Sequence, residues 1–322
     1  MKFMRMRITA LLGLVLFAYT TAEAATLFRC LYVSSYHVGY EWNDGIEQGL
    51  ESVLQGKCEI KKFYMDGKRH LDSDFAKSKA LEAKALVDSW KPDVIIAADD
   101  NVSKFLIMPY FKNAAVPVVF CGVNWTVEPY GYPYSNTTGM IEVGPVEPLQ
   151  NELRAVVKNV RRGVFLSPDD LSQHKEFTEV QKMYKRLGIE MTFTVARTMA
   201  EWEAGFTAAQ TQSDFLLLGN NAGVIGWDNE RARRYVHEHG RHFIVAYHEW
   251  MAPYAMLTMA KIPAEQGEWS GKVALLILEG TPPSKIPIVA NRRWNMFVNL
   301  PLLEKAGFRL SPEILRKAVK VE

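Results

Sequence analysis

The strongest constraint on this chain is a series of short, unbroken apolar runs, each leaving through a polar turn into an amphipathic helix. Asp93-Val94-Ile95-Ile96-Ala97-Ala98 shows no alternation, so both of its faces must be covered, as in a parallel sheet flanked by helices. Leu27 to Val33 reads as a first strand, and Ile46, Leu50, Val53 and Leu54 mark one face of the helix after it. Cys58 to Tyr64 is the next strand. A helix over 74–90 follows, capped by Asp72 or Ser73 and stopped at Pro92. Val102 to Lys112 and Val116 to Cys121 complete a βαβαβαβ series, which implies right-handed crossovers in one parallel sheet.

A second series begins after Gly144-Pro145. Val146, Leu149, Leu153, Val156 and Val157 recur at helical spacing. Gly163 to Leu166, Ile189 to Val195, Phe215 to Leu218 and Phe243 to Tyr247 read as strands, with helices around Phe177, Trp202 and 229–239 between them. At 322 residues the chain exceeds what one core usually needs. The expected fold class is therefore α/β with two lobes, each a parallel sheet flanked by helices, and a ligand cleft between them. We expect 26–144 plus 251–282 in the first lobe and 145–250 plus 283–322 in the second, the tail returning to lobe one and crossing back. Residues 126–138, rich in Pro, Tyr and Gly, read as an ordered loop across the cleft.

Residues 1–25 read as a signal peptide. Lys2, Arg5 and Arg7 precede the apolar stretch Ile8 to Ala18, and Ala22-Glu23-Ala24 is a small-x-small site, so cleavage is expected near Ala24 or Ala25. No later apolar run approaches the roughly 20 residues of a membrane span. A secreted, periplasmic protein is expected. A net charge of +2 without a basic run gives no footprint for nucleic acid. The odd count of cysteines, Cys30, Cys58 and Cys121, leaves one thiol free in an oxidising compartment. Cys30 and Cys58 begin neighbouring strands; whether they bridge depends on a Cα separation under about 7 Å that sequence leaves open. Cys121 ends a later strand and reads as a small buried residue near the cleft.

In open α/β sheets, ligands meet the turns at the carboxyl ends of the strands. The first such turn, Ser34 to Gly45, holds three large rings and a His, more apolar area than an ordinary surface loop exposes. Lobe one then offers Ser35, Tyr36, His37, Tyr40 and Trp42, followed by Asp99, Asp100, Asn124 and Trp125. Lobe two offers Ser167, Asp169, Asn220, Asn221, Trp227, His248 and Glu249. Rings supply flat area for stacking, carboxylates suit an ammonium or hydroxyls, and amides both donate and accept. Each residue has a plainer role open to it. Asp99 or Asp100 can cap a helix, Trp42 and Trp227 can pack in a core, His248 can be a satisfied core His, and Asn220-Asn221 can be turn residues.

Several segments resemble the ABC-transporter substrate-binding proteins of the type I periplasmic-binding fold. They are Ala255-Met256-Leu257 through Gln266-Gly267 to Leu278-Glu279-Gly280, then Ile286-Pro287-Ile288-Val289, and the close Val298-Asn299-Leu300 with Glu304-Lys305-Ala306-Gly307. Pro117-Val118-Val119-Phe120 and Asn136-Thr137-Thr138-Gly139 fit the same pattern. The resemblance spans nearly all of the mature chain. It departs in the aromatic loop Ser34 to Trp42 and in Trp125 to Tyr134, which stands where the family usually carries a Gly/Pro-rich stretch.

The resemblance implies a hinged monomer that captures a small molecule, amino-acid-like and polar or aromatic, and hands it to a membrane permease and its ATPase. A sugar or nucleoside stands close behind as ligand. A soluble input for a sensor kinase or cyclase uses the same clamshell and stays open as the alternative role. An enzyme is not expected: Gly-x-Ser-x-Gly and a Walker-type loop are both absent. No cofactor or metal is expected either, although His37, Asp99, His248 and Glu249 are the residues a metal site would have to gather.

Overall fold

The computed structural model describes residues 27–322; the segment read as a signal peptide lies outside them. In chain order the first lobe is built from β1 (Phe28–Ser34), α1 (Glu41–Leu54), β2 (Cys58–Tyr64), α2 (Ser73–Trp90), β3 (Val94–Ala98), α3 (Asp99–Val102), β4 (Val118–Asn124) and β5 (Thr137–Glu142). The second lobe follows with α4 (Val146–Val156), β6 (Arg162–Ser167), α5 (Leu171–Arg186), β7 (Glu190–Val195), α6 (Met199–Gln212), β8 (Phe215–Leu218), α7 (Asn229–His239), β9 (Phe243–Ala246) and β10 (Leu257–Lys261). Then come α8 (Pro263–Leu278), β11 (Val289–Ala290), β12 (Trp294–Asn299), α9 (Leu300–Ala306), α10 (Pro312–Lys317) and β13 (Val319–Val321).

One sheet runs β11-β5-β4-β3-β1-β2 and the other β13-β12-β10-β9-β8-β6-β7. Every pairing is parallel except β10 with β12. The central strands β3, β4, β8 and β9 are buried along their whole length, as their unbroken apolar runs require. Each sheet carries its own core. The second is centred on Phe165, Trp202, Phe215 and Phe243, while the first is split by its sheet into clusters around Phe120 and around Ile46.

The chain changes lobes at different points from those expected. The sequence pattern puts residues 251–282 in lobe one, but β10 pairs with β9 and β12 in the second sheet. The return comes only at Ile262, after which α8 packs on α1 in lobe one. Glycines let these two helices meet closely: a Cβ at Gly49 would press on the Ala264 carbonyl, and one at Gly267 on the Ile46 carbonyl. Likewise β11 pairs with β5, so lobe one extends to Ala290 and the last crossing is at 291–293. Short apolar strands carry no mark of which sheet they join, so β10 and β11 differ from expectation for the same reason. The 126–138 segment also differs. Thr126 touches lobe two, but Tyr130, Tyr132 and Tyr134 are buried in the lobe-one core, with Tyr132 stacked on Phe120 at 4.6 Å. These rings are core rather than a cover over the cleft.

Cys30 and Cys58 form a disulfide with a Cα separation of 5.8 Å, and Cys121 is free and buried. Helix α2 starts at Asp72, whose carboxylate accepts from the Asp74 and Phe75 amides. The helix after β3 is short in α form and continues as a π-helix from Ser103 to Phe111 that contains Pro109.

Candidate functional site

The carboxyl ends of β1, β3 and β4 bring Trp42, Asp99 and Gly122 to one point. Asp99 follows β3 directly, is 1 % exposed and has φ +72°. A non-glycine residue held in the left-handed region stores about 1–3 kcal/mol and persists only where its surroundings fix it. Here the fixing contact is Trp42, whose Nε1 donates to Asp99 Oδ1 at 2.9 Å. Space for the pair comes from Gly122, at φ +66° in an irregularity where β4 slips against β5. A Cβ at Gly122 would lie 2.6 Å from Asp99 Oδ1. The second carboxylate oxygen of Asp99 is buried without a hydrogen-bond partner.

Around this carboxylate stands an aromatic wall drawn from both lobes. Tyr36 and Tyr40 meet edge to face at 5.2 Å, and Tyr40 meets Trp250 at 5.7 Å. The His248 ring, just past β9, stacks on Trp250 at 4.5 Å and turns an edge to Trp42 at 6.3 Å. Neither ring nitrogen of His248 has a hydrogen-bond partner, and the same holds for Asn220 Oδ1 past β8. These residues border a cavity of about 10 Å³, lined from lobe one by Tyr36, Tyr40, Trp42, Lys68, Asp99, Asn124 and Glu142, and from lobe two by Ser172, Gln173, Glu176, Asn220 and His248. That volume accommodates about one water molecule, so a solute reaches these groups only when the lobes part. Tyr36, Lys68 and Ser172 separate the cavity from an outer vestibule of about 240 Å³ that includes His70, Lys104, Asp169 and His174.

Three buried or nearly buried lysines tie the lobes together. Lys68, past β2, reaches Asp170 at 2.9 Å and Ser172 Oγ at 3.0 Å on the other side. Lys175 of α5 reaches Asp100 at 2.8 Å and the Thr126 carbonyl at 2.6 Å. Lys261, at the end of β10, sits between Glu142 at the end of β5 and Glu176 of α5, the latter at 3.2 Å. Tyr36 OH adds a long hydrogen bond to Ser172 Oγ at 3.4 Å.

Burial, reinforced by Glu142 and Asp100, holds the Asp99 carboxyl well above the usual carboxylate range, against the Trp42 hydrogen bond. Glu142 is pushed up to about 7 by burial, with Lys261 opposing and Glu176 and Asp100 adding. His248 is held well below its ordinary value by burial and then by Lys261 and Lys68, so the ring is neutral. For Lys261 burial works toward the neutral form, but Glu142 and Glu176 outweigh it and raise its pKa. The cavity thus offers a carboxyl group, neutral polar groups and ring edges at the seam between the two lobes.

A family profile described as "ABC transporter substrate binding protein" matches residues 35–322. The chain belongs to the ABC transporter substrate-binding protein family. It is a binding protein and not an enzyme. No curated protein matches the chain. Among solved structures, this substrate-binding protein is similar to an ABC domain from Streptococcus pneumonia in complex with L-Trp, with TM-score 0.69 and 15 % identity over 92 % of this chain and 100 % of that one. It is similar to a ligand-free, open substrate-binding protein with adhesive properties from Clostridium difficile, with TM-score 0.65 and 15 % identity over 92 % of this chain and 99 % of that one. A glucose-galactose binding protein from Geobacillus stearothermophilus aligns with TM-score 0.58 and 13 % identity over 85 % of this chain and 98 % of that one. At such identities the likeness establishes the fold, a two-lobe type I periplasmic-binding architecture.

Of the residues singled out from sequence, Tyr36, Tyr40, Trp42, Asp99, Asn124, Asn220 and His248 border the cavity of this substrate-binding protein. The others do not. Ser35 Oγ donates to the Ala98 carbonyl and accepts from the Val102 amide, pinning β1 to α3. Asp100 is taken by Asn124, Tyr130 and Lys175. Ser167 donates to Gln173. His37 and Asp169 stand at the rim, beside Asp66 and beside His174 and Arg197. Trp125, at φ +57°, lies against the lobe-two core. Asn221 is a turn residue whose carbonyl accepts from Val224, and Glu249 is exposed. Trp227 packs on Trp202 at 5.0 Å and Tyr254 at 5.3 Å, as core. His37 and Glu249 therefore do not gather with Asp99 and His248, and among the described residues no group of metal-ligating side chains is spaced to hold an ion.

Sequence reasoning missed Lys68, Glu142, Ser172, Gln173 and Glu176. The signal for the first two was present. Lys68 follows β2 and Glu142 ends β5, positions the strand-end rule covers. The α5 residues follow β6, where the same rule looks, but nothing in their pattern marks which of them face the cleft.

Proposed function

We propose that this protein is the periplasmic solute-binding component of an ABC uptake system, closing its lobes on a small amine-bearing, amino-acid-like molecule and presenting it to a membrane permease and ATPase. The observation that carries the ligand class is the pair of unpartnered acceptors, Asp99 Oδ2 from lobe one and Asn220 Oδ1 from lobe two, on one cavity. Buried acceptors without partners are costly unless a donor arrives, and an ammonium supplies up to three N–H groups. Binding an ammonium would also draw the Asp99 pKa back down. The Tyr36, Tyr40 and Trp42 rings suit an apolar or aromatic body. A relative that holds L-Trp and another that is ligand-free and open fit the same cycle of opening and closing. The crossings at 144–145, 262 and 291–293 are the hinge. The basic and apolar N-terminal segment supports export, and among the described residues no helix is long and apolar enough to cross a membrane.

Thermal-shift screening against amino acids, amines, sugars and nucleosides tests this. A true ligand at 100-fold excess over its Kd should stabilise the fold by about 2.7 kcal/mol. Trp42→Ala and Asp99→Ala should abolish that shift while each variant keeps a cooperative melt. A response confined to sugars, or one unchanged in both variants, contradicts the reading.

A further inference from the structure

The charges around the cavity do not balance. Lys68 is matched by Asp170 and Lys175 by Asp100, but Lys261 is shared by Glu142 and Glu176, and Asp99 has only the Trp42 N–H. When all are ionised, two carboxylates stand without a cation of their own. Buried charge of one sign is strongly disfavoured until protons or a counter-charge neutralise it. The remaining groups at the site do not help, since His248 is neutral and Tyr36 and Tyr40 carry no positive charge.

The cavity is equally one-sided in what it can offer a ligand anion. No arginine borders it. Lys68, Lys175 and Lys261 each already hold a carboxylate, and Lys68 and Lys175 each hold a further oxygen, Ser172 Oγ and the Thr126 carbonyl. A ligand carboxylate would therefore displace an ion pair that ties the lobes together, whereas a ligand ammonium meets an orphaned carboxylate oxygen.

Resting on the reading of this cavity as the binding site, we propose that the preferred ligand is a net cation: an organic amine with an apolar or aromatic body and no free carboxylate. Its ammonium sits between Asp99 and Asn220. A zwitterionic amino acid brings no net charge and leaves the excess in place, so the site discriminates against it.

Calorimetric titration of the full chain with matched pairs tests the assignment: tyramine against tyrosine, and tryptamine against tryptophan. The amine of a pair should bind at least about tenfold tighter, the equivalent of ~1.4 kcal/mol. Asp99→Asn, which keeps the shape and removes the charge, should collapse that ratio toward one. Titration in two buffers of different ionisation enthalpy adds an independent readout on the unmodified chain. Amino-acid binding should take up close to one proton more than binding of the matched amine. Amino acids binding as tightly as their amines, or equal proton uptake with both, overturns the cation assignment; Trp42→Ala abolishing that binding would leave the site itself standing. Binding of neither partner of any pair overturns both readings.

Discussion

Glu142 shows how far burial can move a single group. It ends β5, pairs with Lys261 of the second lobe, and its pKa rises to about 7 because desolvation outweighs the ammonium beside it. The folded protein therefore keeps a proton that the unfolded chain, with a carboxyl near 4.3, gives up across the intervening pH range. The sign follows: stability contributed by this group falls as pH rises through that window and levels off above about 7. Thermal melts between pH 5 and 8 should decline with rising pH, and Glu142→Gln should flatten the slope by on the order of 2–3 kcal/mol. A wild-type profile that climbs across this interval refutes the assignment. Asp99 belongs to the same class, its left-handed backbone and its buried carboxyl both held by Trp42 and by the room Gly122 leaves.

Among the elements, β1 and β2 are joined twice, by their parallel ladder and by the Cys30–Cys58 bridge. The bridge closes a loop with a sequence separation of 28, for which chain entropy removed from the unfolded state amounts to about 3.5 kcal/mol. Cys58→Ser should lower denaturant stability by about 2–4 kcal/mol. Ligand response should persist, because the bridge stands at the amino ends of the strands, away from the cavity at their carboxyl ends. Loss of binding with unchanged stability would reverse that separation of roles. The same ladder shows why element types were readable from residues. Val94 to Ala98 and Phe215 to Leu218 are apolar throughout because both faces are covered. The half-exposed β7 alternates, because it lies at the edge of its sheet.

For the molecule as a whole, lysines that cross between the lobes tie them together. A buried pair is weak evidence for stability, but leaving one partner alone is strongly unfavourable. Lys68→Met leaves Asp170 buried and unpaired, so the closed form should lose population and the radius of gyration in solution scattering should grow. Pairing it with Asp170→Asn, which keeps an acceptor for the Gln173 amide, should recover much of the loss. A double-mutant cycle on ligand affinity should give a coupling of about 1–3 kcal/mol; a coupling near zero means the pair does not link the lobes.

What the residues determined by themselves was local: the strands and helices, the two α/β series, and the rule that places ligand groups at strand ends. That rule reached the cavity-lining Tyr36, Asp99, Asn220 and His248, each within two residues of a strand's carboxyl end, and Trp42 on the helix that follows β1. It over-reached to Trp227 and Ser167, whose side chains turn into packing or short hydrogen bonds once the chain folds. Only the tertiary structure decided which sheet takes β10 and β11, and which side chains of α5 meet the cleft. Sheet membership and lobe angle are set by contacts between residues far apart in sequence, such as Lys261 with Glu142 and Lys175 with Asp100. A one-dimensional pattern records burial and period but not the partner across the gap.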